Sequence, residues 1–122
     1  MGDRANFGFR DSKEDIIFLY GHWAGHRMLE NLADAVQAAE PRWGDESYAT
    51  RIAISRLVGD EWTSETGWGL TVNALADNEH KVPIIDWKNK TFTLMEEDLI
   101  TEVFTMDLSK FVAKYSSQLV MV

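Results

Sequence analysis

The spacing of apolar residues switches between two periods along this chain, and each switch narrows the folds open to it. Ala5, Phe7 and Phe9 alternate with Asn6, Gly8 and Arg10, the two-residue period of a strand that buries one face. After the polar Asp11-Ser12-Lys13-Glu14-Asp15, the run Ile16-Ile17-Phe18-Leu19-Tyr20 is rich in β-branched and aromatic side chains. The two segments predict an antiparallel hairpin over Ala5 to Tyr20. Met28, Leu29, Leu32, Ala33, Val36 and Ala39 then recur at helical spacing. That helix stops before Pro41, because a residue preceding proline is pushed out of the α region. Ser47 is read as the N-cap of a second helix that runs to about Leu57 and ends at Gly59. Its apolar set is Tyr48, Ala49, Ile52, Ala53 and Leu57.

The two-residue period then returns. Leu70 to Leu75 reads as a strand, and Asp77-Asn78-Glu79-His80 as a polar turn. Val82 to Asp86 and Thr91 to Met95 read as a hairpin around Lys88-Asn89-Lys90. Leu99 to Thr105 is one more extended segment. Asp107 caps a last helix whose inward residues are Leu108, Phe111, Val112 and Tyr115, and the apolar tail from Leu119 is expected to dock on the body or on a partner. The order ββααβββα predicts an α+β fold with a mainly antiparallel sheet of about five strands and helices packed on one face. Phe18, Leu32, Ile52 and Ile84 are assigned to the core.

A chain of 122 residues fits one domain, taken as 1–122. With no cysteine, disulfides and thiolate metal sites are excluded. The polar N-terminus lacks the apolar region of a secretory signal, and Phe7 stands where a myristoylation motif wants Ser or Thr. The longest apolar run, Ile16 to Tyr20, is too short to span a bilayer. The expected setting is the cytoplasm, with no membrane partner. Twelve basic and twenty acidic residues give a formal charge of −8, which repels a phosphate backbone and argues against direct nucleic-acid binding.

Candidate chemistry gathers around tryptophan. Of the five, at positions 23, 43, 62, 68 and 87, three sit in glycine-containing loops. Their loops are Gly21-His22-Trp23-Ala24-Gly25, Arg42-Trp43-Gly44-Asp45 and Thr66-Gly67-Trp68-Gly69. Glycine beside an indole lets a flat ring approach the backbone. Such rings either plug the ends of a small core or stack on a ligand such as a nucleobase. Asp3, Arg4 and Asn6 start the first strand and His22 ends the second, so an antiparallel hairpin puts them with Trp23 on one sheet edge. The bland alternative is that these groups cap turns. The candidate ligand-binding set is Arg4, Asn6, His22, Trp23, Trp43, Asp45, Arg51, Trp68 and His80, expected to converge mostly on one concave surface. In it the indoles stack, the arginines meet anionic groups, and Asn6, His22 and Asp45 orient the ligand.

Other chemistry finds less support. His22 and His26 stand four apart, and His80 lies beside Asp77 and Glu79, but Gly21 to Gly25 is a poor helix; no metal site is assigned. No G-x-S-x-G elbow, Walker glycines or G-x-G-x-x-G occur. No cofactor is expected and no catalytic residue is assigned. A small hydrolase, with His22 or His80 as base and Asp45 or Asp77 as its partner, is the weakest of the readings.

Five strings also carry a resemblance: Gly2-Asp3-Arg4-Ala5-Asn6, Tyr20-Gly21-His22-Trp23-Ala24-Gly25, Arg42 to Ile52, Glu65-Thr66-Gly67-Trp68-Gly69 and Asp77-Asn78-Glu79-His80. In this order they resemble a family of small uncharacterised proteins of bacteriophages, prophages and their actinobacterial hosts. The likeness covers Met1 to Phe92 and leaves out the last segment. It implies a setting, a phage-type accessory protein in the host cytoplasm, and no mechanism. The functional expectation is a non-enzymatic binding module for a small nucleotide-like or polar aromatic ligand. The alternative is an acidic, DNA-mimic-like inhibitor of a host protein, acting through Glu96-Glu97-Asp98 and neighbouring carboxylates. An open sheet edge makes a homodimer a further expectation.

Overall fold

The computed structural model describes residues 2–117, and the first hairpin stands as the alternation requires. Strand β1 (Ala5–Arg10) pairs antiparallel with β2 (Ile16–Gly21), from Ala5 opposite Gly21 to Arg10 opposite Ile16. The turn is closed by Asp11, whose Oδ1 accepts the N–H groups of Lys13 and Asp15 at 2.8 and 3.0 Å. Helix α1 (Met28–Ala38) follows, then a 3₁₀ turn at Glu40–Arg42 and helix α2 (Glu46–Val58), which ends at Gly59 with φ of 67°. The residue at the N-cap of α2 is Asp45, not Ser47. Strands β3 (Trp68–Val72), β4 (Val82–Asp86), β5 (Thr91–Met95) and β6 (Glu102–Asp107) lead to helix α3 (Leu108–Tyr115).

The fold is α+β, but its sheet has six strands and is mixed, in the order β3-β2-β1-β4-β5-β6. Two features correct the expectation of about five mainly antiparallel strands in the order ββααβββα. The extended segment after Leu99 is a full strand, β6, antiparallel to β5. And β4 pairs in parallel with β1, Gly8 opposite Ile84, because β3 takes the place beside β2. The segment 73–81 therefore crosses the sheet rather than turning a hairpin. Alternation reports which face of a strand is buried; it carries no information on which strand lies next to which.

The helices lie on one sheet face. Phe7, Phe9, Leu19, Ile85, Phe92 and Leu94 meet Leu32, Val36, Ala53, Ile54 and Phe111 in one buried cluster, with Phe92 and Phe111 stacked at 4.0 Å between ring centroids. Alanines 33, 35, 49 and 53 are all buried, and their small side chains let the helices approach one another closely. The opposite face holds a smaller cluster of Phe18, Val82 and Ile84, packed on by Leu75 of the crossing segment and Leu99 of the β5–β6 loop. Gly8 keeps β1 low there: a Cβ would stand 2.5 Å from Ile84 Cδ1.

Phe18, Leu32 and Ile84 are buried as assigned. Ile52 is only half-buried and Tyr48 is exposed, while Ile54 and Val58 turn inward. The inward stripe of α2 thus keeps Ala49 and Ala53 of the expected set and is rotated away from Tyr48 toward Ile54 and Val58.

Ser116 and Ser117, just after α3, are held by Asp34 of α1. One carboxylate oxygen accepts the Ser116 hydroxyl at 2.9 Å and the Ser117 N–H at 3.0 Å; the other accepts the Ser117 hydroxyl at 2.7 Å. Burial pushes the Asp34 carboxyl upward, but the bonds from Ser117 and Ser116 outweigh it and hold it below the usual aspartate range. A carboxyl whose folded pKa lies below its unfolded one adds stability above the unfolded value and loses it as pH falls through the folded value. Asp34→Ala should cost about 1–2 kcal/mol at neutral pH, at the low end for a partly solvated charged acceptor. Urea melts should show that difference shrinking on acidification below the aspartate range. The expected docking of the tail from Leu119 lies outside the described residues.

Candidate ligand site

Four of the five strings singled out in the sequence meet at one end of the sheet, tied backbone to backbone. Asp3 N–H donates to His22 O and His22 N–H to Gly67 O, both at 2.8 Å; Gly25 N–H donates to Asp3 O and Glu79 N–H to Arg4 O, both at 2.9 Å. The Glu79 carboxylate returns to Arg4 N–H at 2.8 Å, and His80 Nε2 meets Asp3 Oδ1 at 2.5 Å. A Cβ at Gly25 would force the His80 ring and the Asp3 carboxylate, now bonded to each other, to move away from it. Gly67, at φ of 101°, is required by its backbone.

The structure divides the nine candidate residues. Arg4, Asn6, His22, Trp23, Trp68 and His80 belong to this end. Trp43, Asp45 and Arg51 belong to the other, beside the β1–β2 turn, where Glu46 accepts Ser12 N–H at 3.0 Å. Six of the nine thus lie at one end of the sheet and three at the other. Trp43 is a plug: its Nε1 donates to Val36 O at 2.9 Å. Asp45 starts α2 and accepts the Ser47 hydroxyl at 3.1 Å. Arg51 is exposed and lines an apolar depression with Ile54, Trp62 and Leu70.

Within the first group the faces differ as well. Asn6 is fully buried on the side away from the helices. Its amide donates to Asp77 O at 3.0 Å and Asn78 Oδ1 at 3.2 Å, and its carbonyl accepts Ala76 N–H at 3.4 Å. These bonds clamp the crossing segment to the sheet. The Nε of Arg4 is buried with no hydrogen-bond partner among the described residues. His22 Nδ1 is 2.8 Å from the Tyr20 hydroxyl, and its ring braces Trp23 edge-on at 4.5 Å.

Trp23 and Trp68 share a cavity of about 240 Å³ between the start of α1, Leu57 of α2 and the start of β3. Trp23 is 64% exposed and lies against Gly67, where a Cβ would stand 3.4 Å from its ring. Polar lining comes from His26, Asn31, Thr66 and Glu61, and Glu61 Oε1 accepts Trp68 Nε1 at 2.9 Å. Sequence reasoning missed Glu61, because it stands in no motif; only its distance of one loop from Trp68 pointed there. Neither candidate arginine lines this cavity.

The acidic Glu96-Glu97-Asp98 is engaged locally. Asp98 accepts the N–H groups of Thr101 and Ile100 at 2.9 and 2.8 Å, which hold its carboxyl below the usual range. Glu96 pairs with Lys81 at 3.3 Å, and Glu97 accepts Asn78 Nδ2 at 2.9 Å. No group of three or more metal-ligating side chains occurs among the described residues, and no helix among them is long and apolar enough to cross a membrane. Compared with protein-family models, curated proteins and solved structures, the chain finds no match in any of the three.

Proposed function

We propose that this chain is a non-enzymatic binding module whose cavity beside Trp23 and Trp68 takes one flat polar ring, neutral or cationic. The observation that carries this reading is an exposed indole braced from behind by His22 and facing a glycine loop. At about 240 Å³ the cavity is smaller than the usual range for drug-sized ligands, so it suits a single ring system. Glu61 gives it a carboxylate and no arginine offsets that charge, which favours a ring bearing N–H donors over a phosphorylated one. The nucleotide-like ligand thus narrows to its base. In the phage-type setting that the resemblance suggests, the target is a small molecule of the host cytoplasm.

Calorimetry with free nucleobases, nucleosides and their monophosphates tests this. Bases and nucleosides are expected to bind, with the phosphate weakening the complex. Trp23→Ala should cost roughly 1–3 kcal/mol of binding and leave the melting temperature nearly unchanged, because the ring is exposed. Tighter binding of the monophosphates would move the site to the arginines. Turnover of any of them would make the chain an enzyme.

A further inference from the structure

We propose that the free edge of β3 accepts an extended, lysine- or arginine-bearing segment of another protein as a seventh strand. This goes beyond the ring-binding reading; the two share Glu61 and Trp68, while Leu70, Val72, Trp62 and the far acidic end belong to the edge and its groove alone.

The sheet has two edges, β3 and β6, and they are built differently. Proteins protect an open edge with charges, proline or irregular pairing. Strand β6 has such protection: Glu102 and Asp107 stand at its ends, and its pairing with β5 shifts at Leu94/Met95. Strand β3 has none, its sequence being Trp68-Gly69-Leu70-Thr71-Val72. Leu70 and Val72, opposite Leu19 and Ile17 of β2, are 59% and 64% exposed. They continue the helix-side face of the sheet beyond the reach of α2.

Between α2 and this edge runs an apolar groove. Two depressions of about 230 and 400 Å³ both have Trp62 and Leu70 in their walls, with Val58 and Leu19 in one and Ile54 and Ile17 in the other. Trp62 itself is 53% exposed. An added strand would satisfy the outward backbone groups of β3 and lay every second side chain into the groove.

Charge selects the occupant. Carboxylates stand at both ends, Glu61 at the Trp68 end and Asp11 with Glu46 at the other, against the single cation Arg51. A second copy pairing antiparallel would set Glu61 of one against Asp11 and Glu46 of the other, with −8 on each chain. A segment with apolar residues at alternate positions and cations at both ends meets the apolar floor and both acidic ends.

The test uses the whole chain and three synthetic peptides of about seven residues, enough to span β3. The first alternates valine and threonine between lysines, the second has glutamates in place of the lysines, and the third carries proline at alternate positions. Hydrogen exchange read by amide NMR should show the lysine peptide protecting β3 amides selectively. The glutamate peptide should bind at least roughly ten-fold more weakly and the proline peptide not at all. Leu70→Lys should abolish the protection, while Trp23→Ala, which spares the groove, should leave it. Three results overturn the proposal: no protection of β3, equal binding of the lysine and glutamate peptides, or β3 protection that grows with protein concentration alone. The last would assign the edge to a second copy.

Discussion

Trp87→Ala is expected to destabilise the fold by about 3–5 kcal/mol, the range for emptying a large aromatic site. Trp87 follows β4 and is 2% exposed. Its ring stacks on Phe9 at 6.2 Å with 12° between the planes, and its Nε1 donates to Thr50 Oγ1 of α2 at 2.9 Å. One side chain thus joins β1, the β4–β5 turn and α2, so no single element can shift to fill the space it leaves. Trp87→Phe separates the two contributions. It keeps most of the ring packing and loses the hydrogen bond, so about 1 kcal/mol should go with the bond and a further loss with the smaller ring. Urea melts of both variants check this. An alanine variant as stable as the phenylalanine one would mean that α2 and the turn close over the gap.

Trp87 illustrates what residue spacing can and cannot tell. The short apolar run Val82 to Asp86 identifies β4, and Phe92 and Leu94 alternating with threonines identify β5. Helix α1 is legible too, because Leu32, Val36 and Ala39 recur on one face and Pro41 follows. What spacing did not carry was the seating of β4. A parallel neighbour far along the chain depends on the course of segment 73–81, and that course is set by contacts with Asn6 that no local pattern announces. The inward face of α2 was legible in part: Ala49 and Ala53 are buried as the spacing indicates, whereas Tyr48 is exposed and Ile54 and Val58 take inward places that the spacing did not assign.

The glycine-containing loops bring Trp23 and Trp68 together at one end of the sheet, where Gly67 at positive φ lies beside both. The third such loop sets Trp43 at the other end. Gly44 there has open space around it, and the indole is tied to the end of α1 by its N–H. Arginine and carboxylate positions were the least legible. Side chains beside the same turn divide between the helix side, the crossing side and solvent, and the sequence does not say which.

Asn6→Leu is expected to cost about 2–4 kcal/mol and to act by releasing the crossing segment. A leucine fits the volume but leaves Ala76 N–H, Asp77 O and Asn78 Oδ1 without the partners they now have. Each such group costs about 1–3 kcal/mol when dry; Asp77 is exposed and water replaces part of its loss, which keeps the sum below the maximum. The released segment carries Leu75 off Phe18 and Ile84, so hydrogen exchange should rise first at Phe18 and Ile84 and only later under the helices. Asn6→Asp gives the sharper sign. Burial raises a carboxyl's pKa, so this variant is penalised least below the ordinary aspartate range and progressively more as pH rises and the group must ionise. The wild-type asparagine shows no such dependence. If Asn6 instead served a ligand, both variants would melt like wild type and fail only in binding. Three bonds onto the crossing segment predict the opposite: loss of stability first, with ring binding at Trp23 retained wherever the fold survives.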